Sequence, residues 1–177
     1  MVGMTEIVKI PVERVKVLVG EHGATKKRIE RRCNVELVID PEGEIEIVGE
    51  AADIYFVRDV IKAIGRGFPS QASLKLLESE FGLYIIQMKE FAHTEKAISR
   101  LKGRVIGENG KIKMQIEEAT DSFLSIYGNT VGIISRIDTM DYAKEAISMI
   151  LNGARHTSVL AYLAKAKREI MEARLRT

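Results

Sequence analysis

The strongest constraint in this sequence is an internal repeat. Gly20 and Gly107, Gly23 and Gly110, Ile29 and Ile116, Leu37 and Leu124, and Tyr55 and Tyr142 are all 87 positions apart. The spacing survives from a glycine turn through a helix, a strand and a last helix. Whatever one copy folds into, the other must therefore fold into as well. The period exceeds the roughly 20 to 50 residues of stacked solenoid repeats. Each copy also holds enough elements for a core of its own, so the chain reads as tandem domains. Its 177 residues leave room for two small cores.

The first copy opens with β-branched, partly alternating residues at 6–12, a strand with Pro11 near its end. Residues 13–19 run through an apolar stretch into Gly20-Glu21-His22-Gly23. In residues 24–34 Thr25, Ile29 and Cys33 recur every four positions and the other faces are basic, which describes a short amphipathic helix. Strands at 35–39 and 44–48 flank a turn at Pro41-Glu42-Gly43, and 52–64 carries apolar residues at helical spacing. The second copy repeats this order: a strand at 83–88, helices at 94–106 and 112–120 around Gly107-Glu108-Asn109-Gly110, strands at 123–127 and 131–135, and a helix at 138–151. The expected fold class is α+β, two tandem β-α-α-β-β-α domains with a C-terminal helix. The divisions fall at 1–68, 69–82 (a connector with one short helix at 72–79), 83–153 and 154–177. The last helix, 157–176, has Thr157 or Ser158 as its cap. Tyr55, Phe56 and Tyr142 lie within helices and are assigned to core packing.

Each Gly-x-x-Gly turn lets the backbone bend sharply and approach another group closely, since neither glycine presents a side chain. Each is followed by a helix start, whose unpaired N–H groups and partial positive charge suit an anion such as phosphate. The net charge of +2 is too small to signal nucleic acid, but its distribution is uneven. Lys26, Lys27, Arg28, Arg31 and Arg32 gather around the single Glu30, and Arg100, Lys102, Arg104, Lys111 and Lys113 around the single Glu108. One such cluster is adequately explained as a solvated helix face. Two, each beside a matching turn, point to a clamp on an RNA backbone.

Other function classes find less support. No apolar run approaches the roughly 20 residues of a membrane span, and the N-terminus lacks the order of a signal peptide, which places the chain in the cytoplasm. Cys33 stands alone, and His22, His93 and His156 are too far apart for a local metal site, so neither metal nor cofactor is expected. The nucleotide loop GxxxxGK[ST] is absent, and local spacing brings together no nucleophile–base or paired-carboxylate arrangement, so the chain is not expected to be an enzyme. Residues distant in sequence could still converge in the fold.

Ile106-Gly107-Glu108-Asn109-Gly110, with Ile116 six and Thr120 ten residues beyond, resembles the KH-domain signature. The element order is similar to the type I, eukaryotic, form. KH domains clamp about four nucleotides of a single strand on the Gly-x-x-Gly loop. The resemblance implies RNA-binding residues Arg104, Ile106, Gly107, Glu108, Asn109, Gly110, Lys111, Lys113 and Ile116, with Gly20, Glu21, His22, Gly23, Lys26, Lys27 and Arg28 in the first copy. Bases would rest on Ile106, Ile116 and strand 123–127. Arg104, Lys111 and Lys113 align with Val17, Ala24 and Lys26, which marks the second copy as the stronger site. Glu21 and Glu108 depart from the family pattern by standing where a basic residue is common. Two KH units in so short a chain resemble the partner-of-Nob, or Dim, family of small-subunit ribosome-assembly factors, with the Krr factors as near neighbours. That resemblance implies single-stranded RNA as partner, namely the 3′ region of small-subunit ribosomal RNA, and a nuclease or translation factor beside it. The alternative is a protein-interaction adaptor that uses its KH folds for docking.

Overall fold

The computed structural model describes residues 3–177, and the chain divides after Leu83 into two compact units. The first contains β1 (Met4–Lys9), α1 (Val12–Val19), α2 (Ala24–Cys33), β2 (Glu36–Ile39), β3 (Glu44–Gly49) and α3 (Ala51–Gly65). Its sheet runs β1-β3-β2, with β3 antiparallel to both neighbours and β2 at an edge. Along β3 the alternation of Glu44 and Glu46 with Ile45 and Ile47 sends the isoleucines, both wholly buried, to the helix side. Leu18, Ile29, Leu37, Val57, Val60, Ile61 and Ile64 complete this core.

The first strand starts earlier than its sequence suggests and stops at Lys9. Pro11, with no N–H to give a ladder, stands at the entrance to α1 with φ −57° and ψ 140°. The single connector helix expected at 72–79 is instead α4 (Ser70–Ser73) followed by a 3-10 turn at Leu74–Leu77. Both pack on α3, where Ala72, Leu74 and Leu76 are buried. Tyr55 points outward, 55% exposed, instead of entering the core.

The second unit repeats the order with β4 (Phe81–Gln87), α5 (Glu95–Ile106), α6 (Lys111–Thr120), β5 (Ser122–Tyr127), β6 (Thr130–Arg136) and α7 (Met140–Leu151), the sheet running β4-β6-β5. Thr94 caps α5, its hydroxyl oxygen accepting the Ala97 N–H at 3.1 Å. Helix α8 (His156–Leu175) packs against α6 and α7 through Val159, Leu163, Ala166 and Ile170, a stripe repeating every three or four residues. Neither Thr157 nor Ser158 caps it: the helix begins at His156, Arg155 holds the cap position, and no side chain makes a capping bond.

Candidate nucleic-acid interface

Each unit joins its first two helices by the same turn. Helix α1 ends at Gly20 (φ 75°, ψ 174°) and α5 at Gly107 (φ 75°, ψ 176°). A short 3-10 turn follows, closed by the Gly23 N–H donating to the Gly20 carbonyl and the Gly110 N–H to the Gly107 carbonyl, both at 3.2 Å. The third residue of each turn is left-handed although it is not glycine: His22 at φ 51° and Asn109 at φ 55°. Each such residue costs about 1–2 kcal/mol, so the surrounding fold holds the turn in shape before any ligand arrives.

The first glycine of each turn is required by space as well as by angle. A Cβ on Gly20 would lie 2.3 Å from Thr25 Oγ1, and one on Gly107 would lie 2.4 Å from Ile112 Cγ1. At Gly110 a Cβ would meet nothing within 4 Å, so only the left-handed φ of 74° asks for glycine. Gly23 and Gly110 also occupy the N-cap positions of α2 and α6, where no side chain accepts the first-turn N–H groups. Of these groups the Ala24 and Lys111 N–H donate to the Glu21 and Glu108 carbonyls, and the others lie at the positive end of a ten-residue helix, behind a turn whose tip, Glu21-His22 or Glu108-Asn109, is exposed.

The structure divides the cations expected around the second turn. Lys111 is exposed beside Gly110. Lys113 Nζ lies 3.1 Å from Glu117 Oε1, the oxygen that also accepts the Leu124 N–H of β5 at 2.9 Å. In the first unit Lys26 Nζ lies 3.2 Å from Glu30 Oε1, which accepts the Leu37 N–H of β2 at 2.9 Å. This Lys–Glu–strand arrangement is repeated 87 residues apart and ties the second helix to the edge strand. Sequence reasoning passed over it, although the shared spacing was its signal.

Arg104, expected beside the phosphates, is held within the fold. Its guanidinium is directed inward, donating to the carbonyl oxygens of Ile150, at 2.6 Å, and Ala154. His156 Nε2 donates to the Arg104 carbonyl at 3.0 Å, closing the junction between α5, α7 and α8. Cations suit the free carbonyls at a helix C-terminus. The first unit solves the same problem with Arg14, which donates to the carbonyls of Ile64 (2.8 Å) and Phe68 (2.7 Å). Two of the three aligned positions differ in charge, Arg104 against Val17 and Lys111 against Ala24, and of these two cations Lys111 is the exposed one.

Ile116 is likewise removed from the surface: it is wholly buried in the core beneath α6. Ile106 stands 36% exposed at the end of α5 and remains available to a base. The corresponding position in the first unit is Val19, which with Val15, Leu37, Val38, Ile39 and Lys26 lines a groove of ≈ 500 Å³ between the helices and the edge strand. Elsewhere, burial raises the pKa of the Cys33 thiol, and the charge of Asp53 adds to the shift against a smaller opposing effect of Arg32, which disfavours the thiolate. Among the described residues no group of three or more His, Cys, Asp or Glu is placed to hold a metal ion, and no helix is long and apolar enough to cross a membrane.

Two three-stranded α+β units, each carrying a preformed Gly-x-x-Gly turn between its first two helices, define the class. Residues 5–63 match the KH domain and residues 82–168 the eukaryotic type KH-domain (KH-domain type I); the chain belongs to the KH-domain family. Within it the chain is a homologue of the PNO1/Dim2-type proteins. It is 41% identical to the KH domain-containing protein MJ0443 of Methanocaldococcus jannaschii over 174 residues, 96% of this chain and 77% of that protein. The pre-rRNA-processing protein PNO1 of Chaetomium thermophilum is 32% identical over 101 residues, 55% of this chain and 39% of that protein. A chain of the a/eIF2alpha-aDim2p-rRNA complex from Pyrococcus horikoshii OT3 matches with a TM-score of 0.88 at 36% identity, covering 94% of this chain and 96% of that one.

Proposed function

We propose that this protein binds single-stranded RNA as a non-catalytic factor of small-subunit ribosome assembly, working in the cytoplasm on the 3′ region of the ribosomal RNA. The observation that carries the reading is the duplicated turn: two glycine-bracketed bends with matching backbone angles, each presenting uncapped helix N–H groups to an exposed tip. Phosphates sit against the exposed turn tips, Glu21-His22 and Glu108-Asn109, and the helix starts behind them, since the Gly20, Gly23, Gly107 and Gly110 amides already donate within the fold. Lys111 and Lys113 in the second unit, and Lys26, Lys27 and Arg28 in the first, add charge. Ile106 receives a base in the second unit, and Val19 does so at the mouth of the first unit's groove. Glu21 and Glu108 repel a close phosphate, which leaves the backbone amides and flanking lysines to supply the grip.

The ribosomal assignment is supported by the PNO1 relative, a pre-rRNA-processing protein, and by the rRNA in the solved P. horikoshii complex. A second reading, an adaptor that docks a translation factor, is favoured by the a/eIF2alpha in that same complex. Crosslinking the protein to RNA in cells and sequencing the attached fragments tests the assignment. Fragments gathered at the 3′ end of small-subunit ribosomal RNA are expected; fragments scattered over messenger RNAs would overturn the ribosomal part and leave the clamp standing.

A further inference from the structure

The two units treat the outer face of their second helix differently. In the second unit α8 lies along α6, and Gln115, Glu118 and Ala119 face it across a smaller cleft of ≈ 270 Å³ shared with Leu160, Leu163 and Lys167. The positions 87 residues earlier are Arg28, Arg31 and Arg32. The first unit has no helix at this face among its described residues. Instead the arginines, with Lys27 and the turn residue His22, line an open cleft of ≈ 570 Å³. None of Lys27, Arg28, Arg31 and Arg32 has an ion-pair partner among the described residues, and Glu21, at the turn end, is the one carboxylate lining the cleft.

We propose that the outer face of α2 is a second RNA-backbone surface, continuous with the first Gly-x-x-Gly turn, so that a strand gripped at residues 20–23 runs on along Arg28, Arg31 and Arg32. The proposal rests on the RNA-binding reading of the turns and extends the footprint beyond them. Three arguments favour a nucleic-acid strand as occupant. The cleft begins at the turn itself, through Glu21 and His22, so the same polyanion reaches both without leaving the surface. Cations one helical turn apart, Lys27 or Arg28 and then Arg31 or Arg32, repeat every 5.4 Å, a ladder suited to successive phosphates. The second helix itself also carries the cations only in the first unit: where α8 lies along the equivalent face, the aligned residues have no positive charge, and the cation lining that cleft, Lys167, comes from α8. Arginine forks bind phosphate oxygens in pairs, which suits them to this task better than lysine.

The test compares the full chain with an Arg31→Gln/Arg32→Gln variant, binding single-stranded RNAs of about four and about ten nucleotides, the shorter matching one KH footprint. Glutamine keeps helix propensity, and circular dichroism checks the fold. Losing two single-strand phosphate contacts should weaken the longer RNA about 25-fold near 0.1 M salt and lower its salt slope by about 1.4, while the shorter RNA binds as before. Unchanged affinity and slope for the longer RNA would overturn the proposal. So would an equal loss for both lengths, or binding of an acidic helical peptide at this face with RNA binding unaffected. Failure of the clamp reading is distinguishable, because the unsubstituted protein would then not hold the shorter RNA at all.

Discussion

The guanidinium of Arg104 lies 2.6 Å from the carbonyl oxygen of Ile150 and joins the end of the helix before the turn to the end of α7. The same side chain reaches Ala154, so one residue of the basic cluster closes the fold behind the clamp. Replacing it with methionine should therefore act on stability first. Two charged-donor hydrogen bonds are lost and two carbonyls left without them, a destabilisation of about 2–4 kcal/mol in urea unfolding. RNA affinity measured well below the unfolding transition should change less than about 2-fold. Lysine should rescue only part of the loss, since it cannot span both carbonyls as a fork. A large affinity loss with unchanged stability would return Arg104 to the RNA surface.

The first and second glycines of the turn should respond differently to alanine. Gly107→Ala places a Cβ 2.4 Å from Ile112 Cγ1 at a φ of 75°, so steric overlap adds to backbone strain and the unit should lose about 3 kcal/mol or more. Gly110→Ala meets open space and pays only the left-handed penalty of about 1–2 kcal/mol. Denaturant midpoints of the two variants check the order, and a reversal would contradict the turn geometry.

Glu117 holds Lys113 at 3.1 Å and the β5 backbone at 2.9 Å through one oxygen. Glu117→Gln keeps an acceptor for the Leu124 N–H while removing the charge that competes with phosphate for Lys113. Affinity for single-stranded RNA should rise by up to about 5-fold near 0.1 M salt, one phosphate contact's worth. Glu117→Ala also removes the acceptor and should cost about 1–2 kcal/mol of stability. Equal RNA affinity in Glu117→Gln and the parent would mean that Lys113 serves the fold alone.

The turns were legible in the sequence because their requirements are local: two glycines, two polar residues and a helix start fix the backbone within a few positions. The fold followed from the 87-residue repeat, which carried the helices and strands of one copy into the other. What escaped detection depends on long-range contacts. Arg104 meets carbonyls 46 and 50 residues away, and its counterpart Arg14 sits at a position the repeat does not align, because either of two neighbouring helical turns reaches the same helix end. Ile116 looked like a groove residue. Its place four residues after the buried Ile112 turns it to the core, and Ile106 alone stays at the surface. The open basic face of α2 needed the structure, since only the packing of α8 shows which face of the second helix each unit leaves uncovered.

The central claim, a phosphate clamp at the Gly-x-x-Gly turns, is tested most directly by titrating single-stranded RNA at several salt concentrations with the parent chain and a Glu108→Asp/Asn109→Asp variant. Asn109 is left-handed, a conformation aspartate also accepts, so the variant keeps the turn while adding charge beside the amides. If about four phosphates are held, the parent should lose about 50-fold in affinity between roughly 50 and 200 mM salt, and the variant should bind more weakly throughout with its melting transition preserved. An affinity indifferent to salt, or a variant that binds as tightly as the parent, would contradict the clamp.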